Sequence, residues 1–270
     1  MMTSFDQITS ASNPQIKRLR GLERKKNRNE TGLFLAEGAR LIEQAMAQDW
    51  EVETLVISNS GAERDYVRAL CARAQQRGAR VLQVPDRLAG SIARKDNPQA
   101  VIAAIRQRDL TLVDLDAAHP GLWIGLYECR DPGNLGTILR TADCAGAAGV
   151  ILIEQCCDPY SVEAVRASMG SLFDVGLARA DFSEFNTWRQ DAKLSMVAAS
   201  VNGDSRHDGV NFVQPSLILM GNEQAGLPPH IEAQCDTLCL IPMRGGADSL
   251  NLAQATAIML YEGWRQRGFA

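Results

Sequence analysis

The sequence is poor in histidine, with three in 270 residues, and its seven cysteines form no repeated C-x-x-C pattern. Cys235 and Cys239 have no matching pair nearby, and His119, His207 and His230 are scattered, so no metal centre is expected. An odd number of thiols without a pairing pattern fits reduced cysteines in a cytosolic protein. No apolar run approaches the roughly 18 residues of a membrane span. The first residues, MMTSFDQITS, lack both the basic and the apolar regions of a secretory signal. The phosphate-binding patterns are missing too: Gly133 and Gly136 give only G-x-x-G, and there is no Walker sequence. Neither a G-x-S-x-G elbow nor a Ser-His-Asp set is visible, which disfavours a hydrolase of that type.

What is present is enough apolar material for proper cores, 46% of the residues, in a length that suits one large or two ordinary domains. The net charge of −4 conceals an asymmetry. Residues 1–109 hold 18 basic and 13 acidic side chains, a balance of +5, which leaves −9 for residues 110–270. The densest basic run is KRLRGLERKKNR, residues 17–28. Such a run is either a solvated helix face or a surface that displaces counterions from a nucleic-acid backbone. The run alone leaves both open.

Hydrophobic periodicity divides the chain into alternating elements. In the first half it predicts helices over 13–30, 32–48 and 64–78 and strands over 52–58, 79–85 and 99–105. In the second half it predicts strands over 122–129, 149–154, 195–200, 216–221 and 237–242. A helix follows Asn134, another falls within 161–173, and a last one spans 250–266 with Leu250, Ala253, Ala257, Leu260, Tyr261 and Trp264 on its packing side. The pattern is α/β, with a domain of residues 1–109, a linker over 110–120 and a second domain of 121–270. The continuously apolar strands of the second half point to a parallel sheet covered on both faces.

In open α/β sheets ligands bind beyond the carboxyl ends of the strands. Three such ends here carry segments rich in Gly and polar residues: DPGN (131–134), GNEQAGLP (221–228) and PMRGGADSLN (242–251). Each alone reads as an ordinary turn; three at one edge favour a site. Asn134 is placed to cap the helix that follows. In that helix Leu135, Ile138, Leu139 and Ala142 share a face from which Arg140 points away, as an exposed arginine, a surface ion pair or a substrate contact.

These segments carry a family resemblance. DPGNLGTILRTADCAGAAGVIL, LILMGNEQAGLP and CLIPMRGGADSLNLAQATAIMLYE resemble, in order and spacing, the three motifs of the SpoU (TrmH-type) RNA ribose 2′-O-methyltransferases of the SPOUT superfamily. VRASMGSLF resembles the family's Arg/Lys-x-Ser-x-Gly segment. NPQIKRLRGL, FLAEGARLIEQAM and NPQAVIA are similar to its small α/β substrate-binding domain, which is related to ribosomal RNA-binding proteins. The last motif departs in reading SLNLAQATA where SLNV-S-x-A is commoner, and Ala100 stands where Gly is more frequent.

The resemblance implies a trefoil-knotted C-terminal sheet that binds S-adenosylmethionine, with Gly221, Ile241 and Leu250 at cofactor positions and Met243 and Ser249 beside them. It implies catalytic roles for Asn134, Arg140, Glu223, Ser249 and Asn251, and a homodimer formed through the C-terminal domain. Lys17, Arg18, Arg20, Lys25, Lys26, Arg28 and Arg166 are the expected RNA contacts. The expected substrate is ribosomal RNA, with transfer RNA as the alternative and the cytoplasm as location. A binding protein that kept the fold without turnover, and a nucleotide-dependent enzyme of another class, are the rival readings.

Overall fold

The computed structural model describes residues 5–93, 100–108 and 111–269. The chain forms two compact units that are not consecutive in sequence. One holds Met1–Arg108 with Tyr160–Phe173, the other Asp109–Pro159 with Asp174–Ala270. Residues 160–173, beyond the expected linker over 110–120, group with the first unit. Asn97, Pro98 and Gln99 of the N-terminal motif, and the boundary at 109–110, lie outside the described residues.

The first unit is built on a five-stranded sheet of β1 (Asp6–Gln7), β2 (Leu33–Glu37), β3 (Val52–Ser58), β4 (Arg80–Val84) and β5 (Val101–Arg106), in the order β1-β4-β3-β5-β2. β4 runs parallel to β1 and β3, while β5 is antiparallel to β3 and β2. Two expectations change here. The helix over 32–48 is a strand followed by a helix, Ala39–Ala47, because Gly38 adopts a φ of 102° and breaks the element. The helix over 13–30 is two helices, Pro14–Gly21 and Lys25–Thr31. Asn13 caps the first by accepting from the Gln15 amide at 2.9 Å. The break between them is tied by Arg28, whose buried guanidinium donates to the Leu22 carbonyl at 2.9 Å and the Glu23 carbonyl at 2.6 Å.

Edge strand β2 is buried on both faces because the Tyr160–Phe173 segment covers it. Phe34 meets the Tyr160 ring at 4.8 Å, and Trp50 meets Phe173 at 5.3 Å edge-on. The Trp50 indole N–H donates to the Phe173 carbonyl at 3.2 Å, and the Arg108 guanidinium lies 4.4 Å over the Trp50 ring. Aromatic pairs of this kind each add about 0.5–1.5 kcal/mol beyond their burial.

The second unit is a seven-stranded, wholly parallel sheet of β6 (Trp123–Tyr127), β7 (Gly149–Ile153), β8 (Leu177–Ala180), β9 (Ser195–Ala199), β10 (Ser205–Arg206), β11 (Ser216–Met220) and β12 (Thr237–Leu240). The order is β10-β12-β9-β11-β6-β7-β8. From β6 the chain winds outward through β7 and β8, then crosses to β9 and returns to set β11 beside β6. The carboxyl ends of β6 and β11 are therefore adjacent at a reversal of winding, the place where α/β sheets open a crevice.

Trp123, Ile151, Phe185, Met196 and Leu217 anchor this unit's core. The last helix, Leu252–Gln266, buries Leu252, Ala253, Thr256, Met259, Leu260 and Gly263. Its packing face is thus rotated from the expected one, leaving Leu250, Ile258 and Tyr261 outside. Gly263 sets that rotation: a Cβ there would stand 2.5 Å from Leu122 and 3.3 Å from Phe212.

Candidate active site

The helix Pro132–Cys144 starts directly behind β6. Its cap is Asp131 rather than Asn134: the Asp131 carboxylate accepts from the Asn134 amide at 2.6 Å, and Pro132 fills the first helical position. Asn134 lies inside the first turn, which frees its side chain for other partners. One is Glu223, from the loop after β11. The Asn134 amide donates to Glu223 Oε1 at 3.3 Å. The other is Asn251, whose Nδ2 donates to Asn134 Oδ1 at 2.9 Å. Asn251 in turn caps the last helix, accepting from the Ala253 amide at 2.9 Å.

Glu223 fixes the loop behind β6. It accepts from the backbone amides of Arg130 at 3.1 Å and Asp131 at 3.0 Å, and the Cys129 thiol lies 3.5 Å from Oε1. Its neighbour Asn222 donates to the Glu128 carbonyl at 2.9 Å. Burial opposes ionisation of Glu223, but the Arg130 and Asp131 amides and the Asn134 side chain outweigh it and hold the carboxyl below its ordinary value. Side chains from the loops after β6, β11 and β12 thus form one chain of hydrogen bonds, Asn251 to Asn134 to Glu223.

Gly221 also has a structural task in this loop. A side chain there would meet the chain itself, since a Cβ would stand 2.4 Å from the Gly226 carbonyl carbon. The glycine lets residues 222 and 226 close a small antiparallel bridge, with Asn222 and Gly226 exchanging backbone bonds at 3.0 Å in each direction.

The segment from Pro242 to Leu250 is the open part of the site. Every residue in it is exposed, and among the described residues none makes a backbone–backbone hydrogen bond. Free N–H and C=O groups at a strand's carboxyl end are what a polar ligand needs. Met243 and Leu250 present apolar side chains there at 45% and 36% exposure, and Ile241 is half-buried. Ser249 is exposed and does not cap the helix that follows; Asn251 alone does.

Arg140 points outward, away from the buried Leu135, Ile138, Leu139 and Ala142. No hydrogen bond or ion pair is found for it among the described residues. Six residues on from Asn134, it stands about 9 Å along the helix axis from it, outside the hydrogen-bonded chain.

The expected RNA contacts separate into two groups. Lys17 and Lys25 are exposed, and Lys26 is exposed with Glu30 3.8 Å away. Arg18 is held by Glu53 at 2.6 Å, and Arg20 donates through Nε to Ser91 at 3.0 Å. Arg28 is buried in the helix break and is corrected from RNA contact to structural tie. Arg166, on the Val162–Ala167 helix, is paired with Glu37 at the end of β2.

Two sequence patterns match this chain: the SpoU rRNA Methylase family over residues 121–261 and the MRM3-like substrate binding domain over residues 13–103. An AdoMet-bound rRNA methyltransferase from Sinorhizobium meliloti is 42% identical and superposes with a TM-score of 0.91, covering 97% of this chain and 98% of that one. The 23S rRNA (uridine(2479)-2′-O)-methyltransferase of Streptomyces viridochromogenes is 32% identical over 91% of this chain and 87% of its own length. The 23S rRNA (guanosine(2553)-2′-O)-methyltransferase of Bacillus subtilis is 26% identical over 94% and 98%.

Proposed function

The chain belongs to the SpoU rRNA methylase family, and from that membership we propose that it transfers a methyl group from S-adenosylmethionine to a ribose 2′-hydroxyl of RNA, with ribosomal RNA as the substrate. The observation that carries this reading is the hydrogen-bonded chain Asn251–Asn134–Glu223, which gathers three loops at the carboxyl edge of a parallel sheet beside a segment with free backbone groups.

S-adenosylmethionine fits that segment. Unpaired N–H and C=O groups from Pro242 to Leu250 suit its amino-acid and adenine ends, and Met243 and Leu250 supply apolar contact. Ile241 and Ser249 border the same surface. When bound, the cofactor supplies a methyl group already activated on a sulfonium, so the protein's task is alignment and management of the hydroxyl proton. Asn134 and Asn251 orient the ribose and hold the loops; Glu223 acts through them as a positioning residue. Arg140 binds the adjacent phosphate and stabilises the developing 2′-alkoxide as a fixed cation. A guanidinium offers only donors and no acceptor, so Arg140 is not the base.

The first unit, with exposed Lys17, Lys25 and Lys26, grips the RNA. Exposed Ile258 and Tyr261 on the last helix favour a homodimer formed through the second unit. The family resemblance extends the proposal to a trefoil knot in that unit and to the cytoplasm as location.

The test is to map 2′-O-methyl sites across ribosomal and transfer RNA from cells with and without the protein. Loss of one ribosomal site in its absence, restored by the purified protein and S-adenosylmethionine, is expected. Loss confined to transfer RNA would replace the substrate, and no change in either RNA would reject the activity.

A further inference from the structure

Three cysteines gather where the loops behind β6 and β7 meet, two of them in the sequence pair Cys156–Cys157. The Cys157 amide donates to the Cys129 carbonyl at 2.7 Å, which brings the two residues side by side. Their thiols are near enough to perturb each other's ionisation. Cys156 is turned elsewhere, its thiol directed at the Leu126 and Ile153 carbonyls, each at 3.3 Å. Cys129 is buried, whereas Cys157 is half-exposed. The Cys129 thiol is directed at Glu223 Oε1, 3.5 Å away, and at the Asp131 carbonyl, 3.8 Å away, both part of the loop assembly described above.

We propose that Cys129 and Cys157 are a peroxide-sensitive dithiol, a covalent modification site whose closure to a disulfide withdraws Cys129 from Glu223 and loosens the loop behind β6. That this loop serves the methyl-transfer site rests on the function proposed above; the dithiol itself does not.

The chemistry divides unequally between the sulfurs. The neighbouring Cys129 thiol, with Arg179, holds the Cys157 thiol below its ordinary value against burial and the Glu223 and Asp131 carboxylates; Cys129, pushed up by Cys157 and by burial, stays protonated. Cys157 is thus both the reachable sulfur and the nucleophile. Its thiolate attacks hydrogen peroxide: the O–O bond breaks, an S–O bond forms, and hydroxide leaves. The Cys129 sulfur then attacks the Cys157 sulfenic acid, the S–O bond breaks, the S–S bond forms, and the leaving oxygen departs as water with the Cys129 proton. The net reaction converts two thiols and one peroxide into one disulfide and two waters. A low-pKa, accessible thiol beside a resolving thiol is the arrangement that favours this outcome over further oxidation. Closing the bond, about 2.05 Å long, consumes the Cys129 proton, so that its sulfur no longer donates to Glu223.

The test uses the full-length chain, exposed to hydrogen peroxide and then analysed by peptide mapping and by amide hydrogen exchange, with and without dithiothreitol. A Cys129–Cys157 cross-link is expected, absent in Cys157→Ser. Exchange at the Arg130 and Asp131 amides, both donors to Glu223, should quicken about tenfold, the factor that one lost hydrogen bond corresponds to, and reverse on reduction. S-adenosylmethionine affinity of the oxidised chain, measured by calorimetry, should fall by a similar factor, while reduced Cys157→Ser binds like the wild type. Irreversible oxidation of Cys157 without the cross-link, or a cross-link to Cys156 or Cys144 instead, would overturn the dithiol. A cross-link that leaves the two amides unchanged would overturn its coupling to the loop. Failure of the reduced chain to bind S-adenosylmethionine would count against the function proposed above, while the cross-link and exchange readouts still decide this one.

Discussion

Asn251 gives its side-chain amide to Asn134 across 2.9 Å while its carbonyl oxygen caps the last helix. One side chain thus holds a helix end with one atom and the neighbouring loop with another, and substitution can separate the two. Asn251→Asp keeps the capping oxygen and loses the donor. Asn251→Ala loses both, and the cap alone is worth about 1 kcal/mol. Thermal unfolding should therefore show Asp close to wild type and Ala destabilised by that amount, with methyl transfer reduced in both. Full activity in the Asp variant would separate the bond to Asn134 from the reaction.

Glu223 makes the loop assembly acid-sensitive. Its carboxyl is held below the ordinary glutamate value by the Arg130 and Asp131 amides acting against burial. A depressed folded-state pKa gives stability that is fully present above the unfolded value, about 4.3, and is lost as pH falls through the folded value. Glu223→Gln, which presents an NH2 group to those donors, should be less stable than the wild type at neutral pH. The gap should shrink as pH falls below the ordinary carboxylate range. Denaturant unfolding of both proteins across that range measures it, and a gap that widens toward acid would show the sign to be wrong.

Arg140 is a clean target because nothing within the described chain depends on it. Arg140→Ala should leave stability within about 0.5 kcal/mol and cofactor affinity unchanged. Single-turnover methyl transfer should drop about 10²-fold or more, as when one charge-stabilising donor is removed. Arg140→Lys should recover little, since an ammonium cannot reproduce the planar fork. A wild-type rate in the Ala variant would remove Arg140 from the mechanism.

The basic run divides into side chains that face solvent and one that does not. Lys17→Glu with Lys25→Glu should weaken RNA binding and flatten the log–log salt dependence by about two, near one for each phosphate no longer neutralised. Circular dichroism should show the fold intact. Arg28→Ala should instead destabilise the first unit, because it strips the Leu22 and Glu23 carbonyls of their buried donor. Equal RNA loss from Arg28→Ala in a chain of normal stability would reverse these roles.

The residues legible in the sequence are those whose local pattern carries the whole message. The strands 52–58 and 216–221 are short runs rich in Val, Ile and Leu, and both stand within a residue of their expected bounds. Asn134, Glu223 and Asn251 stand out in the sequence as polar residues at strand ends, and the fold brings the three together. Sequence pattern misleads where a distant segment decides the outcome. LFLAE shares helical spacing with the GARLIEQAM stretch behind it, yet it forms a strand because Tyr160 and Phe173 supply its second cover. Nothing in residues 32–48 announces those partners. Nor does the sequence announce that a side chain at Gly221 would collide with Gly226, five positions along the same loop. Arg28 sits in a basic run indistinguishable by composition from the exposed lysines beside it. Cys129 and Cys157, 28 positions apart, meet only because β6 and β7 are neighbours in the sheet.

The first unit has a consequence for biosynthesis. Its aromatic cluster of Phe34, Trp50, Tyr160 and Phe173 cannot close until the ribosome has made residue 173, by which point β6 and β7 of the second unit have already been made. Nascent chains ordinarily complete their N-terminal domain first. Here the first ring of that cluster waits, uncovered, through the synthesis of two strands that belong elsewhere. A pause or truncation between residues 108 and 160 would release a chain with Phe34 and Trp50 bare, a natural substrate for chaperones and proteases.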